Sequence, residues 1–319
     1  MGYYILGRVV QMALVLFLAS MALFLLIRLL PGDPALIYAG TDASNTVVQA
    51  VRREMGLDQP IPVQYLAWVR RVAQGDLGKS FQNDYPVLSL LGQRIPATAE
   101  LAAAALALSL LVSFPLGLWA ALREGSLVDY LVTGLSGFGL AIPPFWFGII
   151  LILVFALQLH LLPASGYSPS LTRPGPFLQH LAMPAATLAL PTICTLTRFV
   201  KSAILDVMGL DYVRTARAKG VVERAVLSRH VVRNALVAIV TIVGLQIGRL
   251  LGGAVIIESV FAWPGVGQLL LDGILNRDYA VVQGGLLTFV FIFLVINLLT
   301  DLSYGFLDPR VRLGGGVMA

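Results

Sequence analysis

The side chains of this 319-residue sequence that can hold a phosphate, a metal or a nucleophile are few and scattered. Ala73-Gln74-Gly75-Asp76-Leu77-Gly78-Lys79-Ser80 differs from the phosphate-cradling pattern GxxxxGK[ST] only by alanine at the first glycine. A working phosphate loop follows a strand and opens a helix on the cytoplasmic side, and this run is expected to do neither. Nucleotide binding is therefore set aside, and ATP, if used, must be hydrolysed by another polypeptide. His160, His180 and His230 stand far apart, and no HExxH or paired-cysteine spacing offers a metal site. No GxSxG elbow presents a nucleophile. The single cysteine, Cys194, lies in an apolar run, so it forms no intrachain disulfide and reads as a small packing residue. The sequence predicts no catalytic residue and no metal site.

Charge is concentrated instead. Gln246 and Arg249 lie inside an apolar run and Glu258 closes it, in surroundings where an ionisable group is costly unless it meets water or a partner. Two roles fit them. Arg249 and Glu258, with Gln246, can line a solute pathway and contact carboxylate or amine groups; or Arg249 can pair with a carboxylate of a neighbouring helix or subunit purely for structure. Glu100, at the start of another apolar run, reads as an interfacial anchor. The strongest feature is Asp211–Asn234, a polar island. From Arg198 to Arg233 the chain carries eight basic and three acidic residues, a balance of +5 that equals the net charge of the whole chain. Tyr212, Ala216 and Lys219 fall at helical spacing, and Gly220 stands where a helix stops on a left-handed residue. The expectation is helix, glycine corner, helix.

The elements that must position these residues are hydrophobic. The chain is 58% hydrophobic and 12% charged, with a mean hydropathy of +0.85, whereas soluble domains carry about a quarter charged residues. This predicts an all-α polytopic membrane protein with six transmembrane helices. The spans are expected near 9–27, 101–122, 131–159, 181–196, 235–257 and 281–299, the first of them long enough to cross about 30 Å of hydrocarbon. A cleaved signal peptide is the rival for the first, but its apolar run is too long and no small-x-small site closes it. Pro143-Pro144 interrupts the third span and predicts a kink or a re-entrant corner, with gating and plain structure both open as its purpose. Trp263-Pro264 opens a mixed segment before the last span and joins the prolines as a gating or kink candidate. Basic residues near the span ends crowd into one set of short loops, including the polar island, leaving Arg173 and Arg277 in the others. Both termini and the island are therefore expected in the cytoplasm, and the pI near 9.5 reflects orientation rather than nucleic acid.

Tyr212-Val213-Arg214-Thr215-Ala216-Arg217-Ala218-Lys219-Gly220, followed by His230 and Arg233-Asn234, resembles the cytoplasmic EAA loop of ABC-importer permeases in its dipeptide, oligopeptide and nickel version. The general Glu-Ala-Ala-x-x-x-Gly pattern keeps only Ala216 and Gly220 here, a departure common in that branch. "LLPGDP", "LGLDQPIPVQY", "AIPPFWFG", "LLPASGY", Ser259–Gly267 and Asp308-Pro309-Arg310 are similar to further strings of the same family, in the same order. The resemblance implies the type I ABC importer permease fold, in a multi-pass protein of the bacterial cytoplasmic (inner) membrane. It divides the chain into an N-terminal helix (1–30), an extracytoplasmic segment (31–96), a core (97–305) holding the EAA loop (206–233), and a cytoplasmic tail (306–319). It implies ATPase coupling through Tyr212, Arg214, Thr215, Ala216, Arg217, Lys219 and Gly220, with Ala216 entering a groove on the ATPase. It implies a second related permease, two cytoplasmic ABC ATPases that carry the ATP and Mg, and an extracytoplasmic solute-binding protein. Peptides lead as the solute; nickel, a nickel chelate, glutathione or another small solute are alternatives, and a stand-alone secondary transporter or a membrane enzyme are the rival classes.

Overall fold

The structure is a computed structural model that describes residues 2–29, 33–40, 43–169 and 174–307. Leu30–Gly32 of the "LLPGDP" string, Asp42, Arg173, Asp308-Pro309-Arg310 and Arg312 lie outside the described residues. Among the described residues five helices are long and apolar enough to cross a membrane, and six if one bent pair is counted as a span. The Cα positions group into two units. One is built on Ala99–Trp263 with the last turns of the final helix from Ile296, and the other on Leu6–Thr98 and Pro264–Val295.

In the second unit, α1 (Gly2–Leu29) is followed by α2 (Pro34–Ala39), α3 (Asn45–Glu54) and α4 (Ile61–Ala73). Phe24 of α1 and Trp68 of α4 bury their rings together with Leu287. The remainder of α1 exposes Leu14, Phe17, Leu18 and Leu26, as befits a helix whose solvent is hydrocarbon. The Ala73–Ser80 run follows a helix, not a strand, and leads into a short antiparallel bridge between Lys79 and Pro86. Its Ser80 is buried and donates to Asp278, which also accepts the Phe81 N–H at 3.0 Å and the Val281 N–H at 3.2 Å. Gly78 and Ser80 therefore serve a structural turn: the Val87 N–H that begins the next long helix donates to the Gly78 carbonyl at 2.9 Å, and the Asp278 carboxylate takes the Ser80 hydroxyl.

The helix α5 (Val87–Leu122) starts well before residue 101, where the second span is expected to begin. Arg94, Pro96 and Glu100 end the apolar run, but the backbone hydrogen bonds of a helix continue after hydrocarbon gives way to polar surroundings. In the first unit α6 (Leu127–Ala141) meets α7 (Pro144–Leu151) and the wide π-helical turn Ile152–Gln158. Pro143-Pro144 bends this pair by 98°. The helix α8 (Pro174–Met208) continues through Pro184 and Pro191, and is followed by α9 (Asp211–Ala218) and α10 (Glu223–Ala225). After a second π-helical turn, Val226–Val232, come α11 (Arg233–Val260), α12 (Val266–Leu275) in the other unit, and α13 (Tyr279–Leu307).

The first unit is held together by close helix approach. A Cβ on Gly117 of α5 would lie 2.7 Å from the Thr197 carbonyl oxygen and from Val200 Cβ on α8. Gly139 of α6 lies against Cys194, and Gly148 of α7 against Thr187 and Phe261. Where lipid supplies no hydrophobic drive between helices, such small residues let dispersion contacts do the joining. Cys194 is buried in that seam. The outer face of α6 shows Leu127, Leu131, Leu135 and Phe138.

Candidate functional site

The helix α9 is seated by Val213, which is wholly buried with Val200, Ile204, Val226, Val231 and Ala235. Ala216 packs partly buried against the same cluster, on the inward side of the helix. The small residue thus lets α9 lie close to its own bundle, and the outward face carries Asp211, Arg214, Thr215 and Lys219.

The helix ends in a Schellman cap. Gly220 has φ +77°, its N–H donates to the Arg217 carbonyl at 2.9 Å, and the Val221 N–H donates to the Ala216 carbonyl at 3.2 Å. A Cβ at Gly220 would meet nothing within 4 Å, so the requirement for glycine is one of backbone conformation and not of space. Across the corner Arg217 forms a two-pronged pair with Glu223, at 2.7 Å and 3.1 Å. The carboxylate of Glu223 raises the pKa of the Arg217 guanidinium further above its ordinary value. Tyr212 closes the other side. Its hydroxyl donates to the His230 carbonyl at 3.3 Å and accepts from Asn234 Nδ2 at 3.0 Å, while Asn234 also donates to that carbonyl at 2.6 Å. His230 and Asn234 thus fix the angle between α9 and the following turn.

Sequence reasoning missed a further partner. Lys201, counted with the basic island, pairs with the buried carboxylate of Asp129 at the start of α6. Asp129 also accepts the Gly125 N–H at 3.1 Å and the Thr133 hydroxyl at 3.2 Å. The available signal was an acidic residue three positions after Ser126, in the first turn of a helix. Arg214, Lys219, Arg224, Arg229 and Arg233 remain exposed.

The pathway candidates divide. Gln246, Arg249 and Pro144 line one cavity of about 270 Å³ in the first unit, together with Leu188, Thr192 and Ile257. Gln246 is buried and Arg249 exposed. No His, Cys, Asp or Glu is in its wall. Glu258 lies outside that wall and is completely buried, its backbone carbonyl accepting the Trp263 N–H at 2.8 Å. Pro143 stands just before α7 as its N-cap. Trp263 is fully buried, edge-on to Tyr167 at 4.8 Å and 6.2 Å from the Phe177 ring. Tyr167 donates to Glu100 at 2.9 Å, and burial followed by this bond pushes its phenol pKa up. Glu100 is thereby tied to a loop. Pro264 opens the segment of the other unit that leads into α12. Among the described residues no group of three or more His, Cys, Asp or Glu could hold a metal ion.

Apolar helices of membrane-crossing length, with one short glycine-stopped helix packed against them, define a polytopic membrane protein. The family description "Binding-protein-dependent transport system inner membrane component" matches residues 113–313, and that of its N-terminal part matches residues 1–102. The chain belongs to this family and is a non-catalytic membrane subunit. A chain of Brucella abortus (strain 2308) that bears the name of a peptide transport system permease protein is 44% identical over 308 residues, covering 97% of this chain and 98% of its own. The glutathione transport system permease protein GsiC of Escherichia coli O6:H1 is 37% identical over 309 residues, 97% and 98% of the two chains. The solved MetNI methionine ABC transporter shares the fold, with a TM-score of 0.58 at 16% identity over 69% of this chain and 97% of that one.

Proposed function

We propose that the chain is the permease subunit of an ABC importer for peptides, forming the translocation pathway with a second, related permease. The observation that carries this reading is the α9 corner. A helix locked at its base by Val213 and Tyr212, stopped at Gly220, and offering Arg214 and Lys219 outward suits a groove on a soluble ATPase. Two such ATPases bind ATP and Mg and close on each other when ATP is bound, one seated against this corner and one against the partner permease. The corner then works as a lever, because the Tyr212–Asn234 bond ties it to α11, while Lys201 on α8, the helix that leads into the corner, is tied to Asp129 of α6. Both termini lie in the cytoplasm in this arrangement, and a solute-binding protein delivers the peptide from the other side.

Gln246 and Arg249 receive the solute in the cavity beside Pro144, Arg249 pairing with a peptide carboxylate and Gln246 with an amide. A wall that offers a guanidinium and no metal ligand suits an anionic peptide end and opposes a nickel cation. The relatives named for peptides and for glutathione, itself a small peptide, support the same solute class. Bound peptide shifts the inward–outward equilibrium only by its differential affinity for the two states.

The test is reconstitution with the partner permease, ATPases and binding protein in proteoliposomes. Labelled peptide should accumulate only with ATP. Joint reversal of Arg214→Glu and Lys219→Glu should cut that uptake at least about tenfold while leaving insertion unchanged. Uptake that persists without ATPases, or a Lys219 reachable by membrane-impermeant label solely from the outside of intact cells, would overturn the reading.

A further inference from the structure

The second unit contains a cavity of about 330 Å³ between the C-terminal turns of α1, the helices α2 to α4 and the start of α13. One wall is apolar and includes Phe24, Ile27 and Trp68. The rest mixes apolar residues such as Met55 and Leu77 with basic Arg28, Arg71 and Lys79 and acidic Glu54 and Asp76. Asp76 is engaged, since its Oδ1 accepts the Gly78 N–H at 2.8 Å. Arg28 is half-buried one residue before the apolar span ends at Leu29, with its guanidinium over the Phe24 ring at 5.0 Å.

Two side-chain amides in this wall point to a ligand. Gln283 Nε2 is buried and donates to no group of the protein, and Gln64 Oε1 is buried and accepts from none. Gln64 is held in that orientation because its own nitrogen already donates to the carbonyls of Gln59 at 2.7 Å and Leu57 at 3.3 Å. A buried donor and a buried acceptor left without partners are each costly, so both favour a molecule that satisfies them. They face the same cavity as a guanidinium placed where hydrocarbon ends.

We propose that this cavity binds the phosphate headgroup of an anionic phospholipid, with Arg28 and Gln283 on the phosphate, Gln64 on a headgroup hydroxyl and Phe24, Ile27 and Trp68 against the start of the acyl chains. Phosphate needs cationic and N–H donors, and a glycerol headgroup adds a hydroxyl that can donate to Gln64. The apolar wall at the end of a span separates a lipid from a soluble phosphate, because only the lipid brings hydrocarbon to cover it. Arg71 and Lys79 at the exposed side add attraction for negative charge, against which Glu54 and Asp76 limit the site to one headgroup. The site is distinct from the cavity of Gln246 and Arg249 and does not depend on which solute is carried.

The experiment is a titration of the full-length purified chain with short-chain phosphatidylglycerol, phosphatidylcholine and inorganic phosphate, read by native mass spectrometry. The wild type should retain phosphatidylglycerol at least about tenfold more tightly than phosphatidylcholine, and Arg28→Gln and Gln283→Leu should each remove about tenfold of that affinity. Arg28→Lys should restore most of it, which distinguishes loss of charge from misfolding, and matched melting curves check the variants independently. Equal retention of the two lipids by the wild type would overturn the proposal whatever the variants do. Displacement of phosphatidylglycerol by inorganic phosphate at equal concentration would overturn it in favour of a free-phosphate site.

Discussion

Two loops of the first unit solve the same problem, reversing or turning a long helix, with opposite materials. Around Trp263 the turn is filled: the indole is fully buried, Tyr167 and Phe177 close on it, Tyr167 is tied to Glu100, and the Gly166 N–H donates to the Phe261 carbonyl at 2.9 Å. Around Gly220 nothing lies within 4 Å of a would-be Cβ, and the turn is held by a cap, one ion pair and the Tyr212–Asn234 bond. The first arrangement resists any displacement of its centre. The second fixes the base of a helix while leaving its tip open to another molecule.

The contrast breaks most easily at the filled turn. Trp263→Ala should cost about 3–5 kcal/mol through the cavity it leaves, measured as a lowered melting temperature in detergent. At the open turn Gly220→Trp should cost only about 1–2 kcal/mol, the penalty of a side chain in the left-handed region, so the protein still inserts. ATP-dependent uptake should nevertheless be lost, and normal uptake would remove the corner from the coupling route. Tyr212→Phe should remove about 1 kcal/mol and loosen α9, seen as faster proteolysis in the 211–220 segment with the melting point little changed. The smallest effect concerns titration. Because the Tyr167 phenol has a folded pKa raised above that of an unfolded tyrosine, its contribution is fully present below the unfolded value and is lost as pH rises through the raised one. Ultraviolet titration should therefore find Tyr167 ionising late, together with Tyr38, whose phenol the nearby Asp84 carboxylate also pushes up, and Glu100→Gln should bring only Tyr167 nearer to the ordinary value.

The spans and the corner at Gly220 were legible because hydropathy and a glycine between helical faces are local signals. Helix ends were not. The helix α5 continues to Val87 through Arg94 and Glu100, since polarity marks the edge of hydrocarbon and not the edge of hydrogen bonding. The small size of Ala216 was legible, but its packing against the cluster of Val213 was not, because that contact depends on the helices beneath it. Pairing across distance was hidden as well. Lys201 reads as one of a set of basic residues until the fold brings Asp129 of another helix against it. Gln246, Arg249 and Glu258 looked alike as polar residues in an apolar helix, yet two line a cavity and the third is sealed inside the bundle, a distinction that follows from helical angle.

That angle is preserved far from the cavity. The π-helical turn Val226–Val232 accommodates an extra residue ahead of α11, and each residue in a helix accounts for about 100° of rotation. The wide turn takes up that residue locally, so α11 keeps its phase. Deleting one residue from the turn would restore regular winding and leave Gln246 and Arg249 beside Pro144, whereas deleting one between Arg233 and Gln246, where no slack exists, would swing both away.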